Sequence, residues 1–262
     1  GLGWLWINWE MKNILNKKLI ERYSRQIILK NVGAIGQKKI IKSKILIIGA
    51  GGLGCPVADY LSRAGVGTLG IVDHDVVNIG NLHRQSLYDY SDIGKLKVDV
   101  LRKKIKLINN SVKVIKFQKK IDKKNISKII KKFDIIIDGS DNFKTKFLLN
   151  EYSIKYKKIL IIGAISKFDG HVFTFNFKDK KNSCLKCFYQ SNPSEDILNC
   201  EAEGIFGPVA GIIGNIQANE AIKKILNIGE NLNNKILILN LLNLDFRKVS
   251  YTKKNSCICS KF

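Results

Sequence analysis

The sequence predicts an α/β protein built on a doubly wound, Rossmann-like mixed sheet, mostly parallel with antiparallel C-terminal strands. Three observations carry this. The apolar run Ile45–Ile48 breaks into a glycine-rich turn and passes straight into an amphipathic stretch, Leu53–Ala64, the pattern of a buried parallel strand feeding a helix. Further short apolar runs follow at Leu69–Val72, Val112–Phe117, Phe133–Ile137 and Ile159–Ala164, with helical stretches between most of them. Beyond these, Gly170–Phe177 reads as a strand that turns antiparallel, and Ile236–Asn240 and Leu244–Tyr251 read as two strands that close the sheet.

Composition bounds the function. A chain of 262 residues with 45% hydrophobic content can bury one sizeable core. No apolar run reaches the roughly 18 residues that a membrane helix needs, so no membrane partner is expected. The formal charge of +23 invites a nucleic-acid reading. However, the lysines are spread along the chain among Ile and Asn, as in Ile126–Lys132 and Lys155–Lys158, without an aromatic-basic stacking pattern. That is the imprint of an A/T-rich genome, and no nucleic acid is expected as a partner. Six cysteines in a chain of this size, four of them in two close pairs, point to metal or redox chemistry in a reducing compartment, the cytoplasm or an organelle stroma. Residues 1–10 hold all three tryptophans, precede the single methionine, Met11, and lack the features of a signal peptide. They are expected to be a scar or disordered extension, and residues 11–262 a single domain.

In chain order, residues 13–42 read as mostly helical, with Arg22 and Arg25 three apart on one face. Either they lie on a surface helix or they supply a basic finger for a phosphate. The turn Gly49-x-Gly51-Gly52-x-Gly54 permits a tight reversal and close approach of backbone N–H groups to a phosphate at a helix N-terminus. Asp73 ends the next strand, where an acid can take ribose hydroxyls. The polar loop after it carries Asp75, Asn81, Arg84 and Gln85 at a carboxyl strand end. Asp75 can hold ribose or assist a metal; Asn81 and Arg84 can share a face of a short helix, and the Arg84 fork suits phosphate. Lys95 and Lys97 open a helix running to about Ile108, against the helix dipole, which phosphate binding or composition bias would each explain. Helical stretches are also expected over Asn125–Lys131, Phe143–Tyr156 and, opened by Gly207-Pro208, to about Leu226. In Asp138-Gly-Ser-Asp141-Asn142, Asp141 either holds Mg²⁺ or caps the following helix. Cys184-x-x-Cys187 and Cys257-x-Cys259 can together form a Cys₄ zinc site stapling the C-terminus to the body, or remain free thiols. Cys200 is either a small buried residue or a nucleophile; Cys55 is expected in the core. The three histidines form no cluster, and no histidine-based triad is visible.

Together these segments resemble the ThiF/MoeB family of adenylyltransferases, related to ubiquitin-activating enzymes. The resemblance rests on Arg22-Tyr-Ser-Arg25-Gln-Ile-Ile-Leu29, Gly49–Gly54, Ala64-Gly-Val-Gly-Thr-Leu69, Asn81-Leu-His-Arg84-Gln85, Ile93-Gly-Lys-Leu-Lys97, Asp138-Gly-Ser-Asp141-Asn142, Cys184-x-x-Cys187 and Ile216–Lys223. It runs from about Glu21 to Cys259. It implies ATP-dependent activation of a small ThiS-like or MoaD-like β-grasp sulfur-carrier protein ending in Gly-Gly. The carrier carboxylate attacks the α-phosphate, giving an acyl-adenylate and pyrophosphate. The resemblance assigns nucleotide contacts to Gly49, Gly51, Gly52 and Gly54, ribose to Asp73, and phosphate contacts to Asn81, Arg84 and Lys97, with Asp75, Gln85 and Asn142 also at the nucleotide. Asp141 would position Mg²⁺, and Arg25 would reach the second site of a homodimer. Cys200 matches a cysteine that can link to the carrier, and Asn199–Val209 looks nearer the thiamine branch than the molybdopterin branch. The C-terminal half-site is CxC where the family has CxxC. The last residue is Phe262, so no rhodanese domain is expected, and sulfur would come from a separate donor such as a cysteine desulfurase or rhodanese-type protein. Two other readings fit parts of the pattern. A dinucleotide-dependent oxidoreductase would explain the glycine turn and Asp73 but gives no role to Arg84, Lys97 and Asp141. A non-catalytic, zinc-stapled binding module would keep the fold without turnover.

Overall fold

The computed structural model of the chain describes residues 15–189 and 204–261. The expectation for residues 1–10 and that for Cys200 lie outside these. The stretch read as mostly helical is three helices, α1 (Lys17–Arg22), α2 (Ser24–Ile27) and α3 (Gly33–Lys42). Strand β1 (Lys44–Ile48) follows, then α4 (Gly54–Ala64), β2 (Thr68–Val72), α5 (Lys97–Ile108), β3 (Lys113–Phe117), α6 (Ile126–Ile130), β4 (Ile135–Asp138) and α7 (Phe143–Lys155). The second half comprises β5 (Ile159–Ser166), β6 (Asp169–Asn176), α8 (Leu185–Phe188), α9 (Gly207–Leu226), β7 (Lys235–Asn240) and β8 (Asp245–Ser250). No helix among the described residues is long and apolar enough to cross a membrane.

The strands form one sheet in the order β3-β2-β1-β4-β5-β6-β7-β8. From β3 to β5 the pairing is parallel; β6, β7 and β8 are antiparallel, as the sequence predicts. The order reverses between β1 and β4, where Ile48 and Asp138 stand side by side at the carboxyl ends. Such a reversal opens a crevice between the turns that leave the two strands.

Alternation of side chains divides the apolar residues between two cores, one on each face. Ile45, Ile47, Ile71, Ile135 and Ile161 face α4, α5 and α9, burying Leu61, Leu101 and Ile213. Leu46, Ile48, Ile136 and Ile162 face α6 and α7, with Ile126, Ile130 and Leu149. The continuous apolar runs of the central strands follow from burial on both sides. Chain punctuation agrees: Gly65 ends α4 at φ 93°, Pro208 opens α9, and Asn227 ends it in the left-handed region.

Several boundaries differ from expectation by one or two residues, and two of these concern charged groups. Gly94 takes a φ of 83°, so α5 starts at Lys97 and Lys95 lies before it. β4 extends one residue further and takes in Asp138, whose carboxylate is fully buried.

Helix α4 can leave β1 tightly only because position 54 has no side chain. A Cβ there would lie 1.9 Å from the Gly49 carbonyl oxygen. Gly54→Ala is therefore expected to destabilise the chain by about 1–3 kcal/mol in urea unfolding, the cost of overpacking a rigid site. Gly211, in α9, has nothing within 4 Å of its virtual Cβ. Gly211→Ala is expected to stabilise by about 0.5–1 kcal/mol through helix propensity, and the pair serves as an internal control.

Candidate active site

A cleft of about 640 Å³ opens at the reversal point, over the carboxyl ends of β1, β2 and β4. Its floor is the glycine loop, and the glycines divide the work. Gly49, at φ 94°, would drive a Cβ to within 2.7 Å of the Gly139 carbonyl, and Gly54 packs α4 on the strand end. Gly51 and Gly52 line the cleft, where a Cβ at Gly51 would meet Gln85 at 3.5 Å and one at Gly52 would meet Ala210 at 3.2 Å and Arg84 at 3.5 Å. Gly49 also lines the cleft, whereas Gly54 is absent from the lining and its role is packing.

Backbone contacts hold this loop rigid. Ala50 N donates to Asp73 Oδ2 at 2.8 Å, and the Ala50 carbonyl accepts from the Tyr88 hydroxyl at 2.6 Å. Asp75 N donates to Asp73 Oδ1 at 2.8 Å. Each Asp73 oxygen is thereby oriented by one N–H while keeping acceptor capacity for a ligand hydroxyl. Cys55, beneath the loop, is fully buried as expected, and burial pushes its thiol up to about 12.

The first wall carries the basic groups. Lys97 is the first residue of α5 and only 6% exposed. Among the described residues its Nζ makes no hydrogen bond, and its ion pair with Asp75 spans 3.9 Å. A buried ammonium so loosely paired is set for an anion from the cleft. Asn81 is the last residue of a 3₁₀ turn, Ile79–Asn81, where its side chain accepts from Asn78 N at 3.0 Å. The short helix expected here is this single turn, with Arg84 N donating to the Asn81 carbonyl at 3.1 Å. One terminal nitrogen of the Arg84 guanidinium donates to Gly80 O at 3.0 Å and lies 2.6 Å from His83 Nε2, and the residue lines the cleft. Gln85 is 3% exposed, and its Oε1 has no partner among the described residues. A buried acceptor left open at a cleft wall is a place for a ligand donor.

The opposite wall is the turn after β4. Asn142 is the N-cap of α7, its Oδ1 accepting from Thr145 N at 2.8 Å. Asp141 is thus not the cap: its exposed carboxylate accepts from Asn142 Nδ2 at 3.2 Å and faces the cleft. One such carboxylate beside phosphate oxygens and water is a donor set that fits Mg²⁺. Arg25, exposed on α2, does not line the cleft.

Sequence reading missed Ser140, Thr145, Lys119, Lys120 and Lys146, all of which line the cleft. Lys146 had a signal, since it shares the α7 face that buries Phe143, Leu149, Asn150 and Ser153. A charge on a buried face needs a partner, and Lys146 has Asp138, with an Nζ–Oδ2 distance of 2.7 Å.

Away from the cleft, Cys184, Cys187, Cys257 and Cys259 bring their sulfurs within 4.8 Å of one another, all buried. The Cys184–Cys257 and Cys187–Cys259 separations are both 3.5 Å, with no disulfide. A tetrahedral Zn–S₄ site with bonds near 2.3 Å has S–S edges of about 3.8 Å, so the cluster fits zinc. Lys254 N lies 3.5 Å from Cys187 Sγ as an outer donor. The shorter CxC spacing still brings both sulfurs into the cluster, at the start of a 3₁₀ turn, Ile258–Ser260.

The ThiF family model matches residues 23–260. The chain belongs to the ThiF family. It is 36% identical over 245 residues to the sulfur carrier protein adenylyltransferase of Thermus thermophilus, covering 92% of this chain and 90% of that one. It is 39% identical over 248 residues to a probable molybdopterin-synthase adenylyltransferase of Gracilaria tenuistipitata var. liui, covering 93% and 69%. A similar match, 39% over 247 residues, is to adenylyltransferase and sulfurtransferase MOCS3 of Dictyostelium discoideum, of which this chain spans 58%. Among solved structures, E. coli MccB with MccA-N7isoASN superposes with a TM-score of 0.81 at 21% identity, covering 93% of this chain and 75% of that one, which shows the shared fold. This ThiF-family chain is an enzyme of the nucleotidyltransferase class; the oxidoreductase and non-catalytic readings are set aside.

The two neighbours on the α7 turn can be separated by stability alone. Asn142→Ala removes a helix cap and is expected to cost about 1 kcal/mol in urea unfolding. Asp141→Ala, at an exposed site outside the cap, is expected to change stability by less than about 0.5 kcal/mol.

Proposed function

We propose that the chain activates the C-terminal Gly-Gly carboxylate of a β-grasp sulfur-carrier protein by transferring AMP from ATP. The observation that carries this is the cleft itself: a backbone-lined glycine floor between a loosely paired, buried Lys97 with Arg84 on one wall and the exposed Asp141 carboxylate on the other. Positioning and charge stabilisation are the main requirements of phosphoryl-type transfer, and a carboxylate nucleophile needs no base. Asp73 would take the ribose hydroxyls, assisted by Asp75. Gly49, Gly51 and Gly52 would pass close to the nucleotide, with Gln85 beside them. Asn81, Arg84 and Lys97 would bear the charge of the phosphates as the carrier oxygen bonds to the α-phosphorus and pyrophosphate leaves. Asp141 would hold Mg²⁺, with Asn142 fixing the adjoining helix; the ion supplies charge neutralisation on the phosphate oxygens. Arg25, solvent-facing and outside its own cleft, would complete the partner site in a homodimer. Cys200 would receive the activated carrier in the later sulfur-transfer step, with sulfur from a separate donor protein. The Cys₄ cluster would hold structural zinc.

The thiamine-branch reading draws on the pattern of Asn199–Val209. The molybdopterin-branch alternative draws on the names of the relatives at 39% identity.

The deciding measurement is ATP–pyrophosphate exchange with purified thiamine-branch and molybdopterin-branch carriers in parallel. Exchange is expected only when a carrier is present, and its carrier dependence selects the branch; no exchange with either, in folded protein, would overturn the proposal. Asp141→Ala is expected to reduce exchange by at least about 100-fold, the scale of removing one stabilising group at a reacting centre. Cys200→Ala is expected to leave exchange intact and impair only sulfur transfer.

Metal analysis is expected to find about one zinc per chain, the stoichiometry of a Cys₄ site. A chelator strong enough to strip it should lower the midpoint of thermal unfolding. Metal-free protein with an unchanged midpoint would leave four free thiols as the correct reading.

A further inference from the structure

Beneath the cleft lies a buried ion pair to which the scheme above gives no task. Lys146 Nζ donates to Asp138 Oδ2 at 2.7 Å, to the Ser140 carbonyl at 2.8 Å and to the Gly163 carbonyl at 2.7 Å. An ammonium has three donors, and all three are engaged. The two side chains are 1% and 0% exposed. Asp138 Oδ1 accepts from Ser140 N at 2.9 Å and from Ser140 Oγ at 2.5 Å, and the Asp138 carbonyl accepts from Gln217 Nε2 at 2.8 Å. One cation therefore ties together the end of β4, the turn after it, and β5.

This arrangement excludes a direct part in binding phosphate. Lys146 has no donor left, and its charge is neutralised at contact distance, in contrast to Lys97 on the far wall. Asp141 is anchored differently. Among the described residues its side chain has one hydrogen bond, from the adjacent Asn142, so the direction of its carboxylate is set by the backbone of residues 139–142. That backbone is what Lys146 and Asp138 hold, through both the N–H and the carbonyl of Ser140.

We propose that the Lys146–Asp138 pair is a positioning device for Asp141, and that it sets how strongly the cleft holds the divalent cation on ATP. The inference rests on the nucleotide-activation reading above. A buried ion pair adds little stability over a well-packed apolar pair of similar volume, so its use at this point serves geometry. Gly139, on the same turn, donates its N–H to the Ile48 carbonyl at 2.8 Å, so the clamp also fixes the turn against the glycine floor.

The test is ATP affinity of the full-length chain, measured by calorimetry in excess Mg²⁺ and again in EDTA. The variants are Lys146→Met, Asp138→Asn with Lys146→Met, and Asp141→Ala, alone and combined. The double charge-removing variant avoids leaving Asp138 unpaired, and folding is checked by circular dichroism. Wild-type protein is expected to bind ATP at least about tenfold more tightly with Mg²⁺ than without. Each Lys146 variant is expected to keep the EDTA affinity within about threefold and to lose the Mg²⁺ gain, as Asp141→Ala does. Adding Asp141→Ala to the charge-removing pair should cause no further loss, because the residues act as one unit. A folded Lys146 variant with the full Mg²⁺ gain would overturn the proposal. So would equal losses in Mg²⁺ and EDTA, which would mean a general collapse of the cleft, and so would losses that multiply. If neither Lys146 variant folds, Ser140→Ala, which removes one hydrogen bond to Asp138, should lower the Mg²⁺ gain; an unchanged gain would count against the clamp. Wild-type protein that binds no ATP would instead overturn the activation reading, and the proposal with it.

Discussion

Two backbone turns meet at the middle of the sheet, and the cleft depends on their contact. The Gly49 turn leaves β1 and the Gly139 turn leaves β4, joined by the hydrogen bond from Gly139 N to the Ile48 carbonyl. A Cβ at Gly49 would come within 2.7 Å of the Gly139 carbonyl. Each wall of the cleft is an extension of one of these strand ends or of β2 beside them. Strand reversal supplies the crevice, but the absence of side chains at the contact lets the two walls stand close enough to share one ligand.

Charge is distributed around this contact in an order that net charge conceals. The chain carries +23, yet the groups that matter at the cleft are few and unequal. Lys146 is locked in a saturated pair, whereas Lys97 is buried against an exposed carboxylate 3.9 Å away. A cation whose charge is spent on the protein shapes a site; one whose charge remains unspent attracts a ligand. Surface lysines do neither, because solvent and salt screen them.

Most of the fold was legible because its signals are local. Apolar runs with period-independent burial marked the central strands, and Gly65, Pro208 and the glycine turn marked boundaries where the backbone has few alternatives. The cleft residues were legible for a related reason, since strand carboxyl ends carry the polar loops. The role of Lys146 was not, although its helix begins two residues after Asp141. Its helical phase with Phe143, Leu149 and Ser153 hints at burial, but its meaning depends on Asp138 and Gly163, which stand on the two neighbouring strands β4 and β5. The choice between cap and ligand for Asp141 was equally closed to sequence. Asp141 and Asn142 both suit an N-cap, and only the backbone at residue 142, extended at φ −142°, decides which one takes it.

The cysteine cluster answers a weakness at the other end of the sheet. β8 buries none of its residues and is held by its ladder to β7. An edge strand with that little burial would fray without further anchoring. The chain after it returns inward: Tyr251 packs edge-on against Phe173 and Phe188, at 6.2 and 5.4 Å between ring centroids, and Cys257 and Cys259 then reach the thiols beside α8. Asn150, on α7, accepts from Leu185 N at 2.9 Å and ties that same segment to the helix that begins at the cleft. A crosslink at the four sulfurs would therefore restrain β8 and α8 together, and through α7 it would steady the turn that bears Asp141. Metal binding far from the reacting groups can serve the reaction in this way, by lowering the freedom of an element whose other end lines the site.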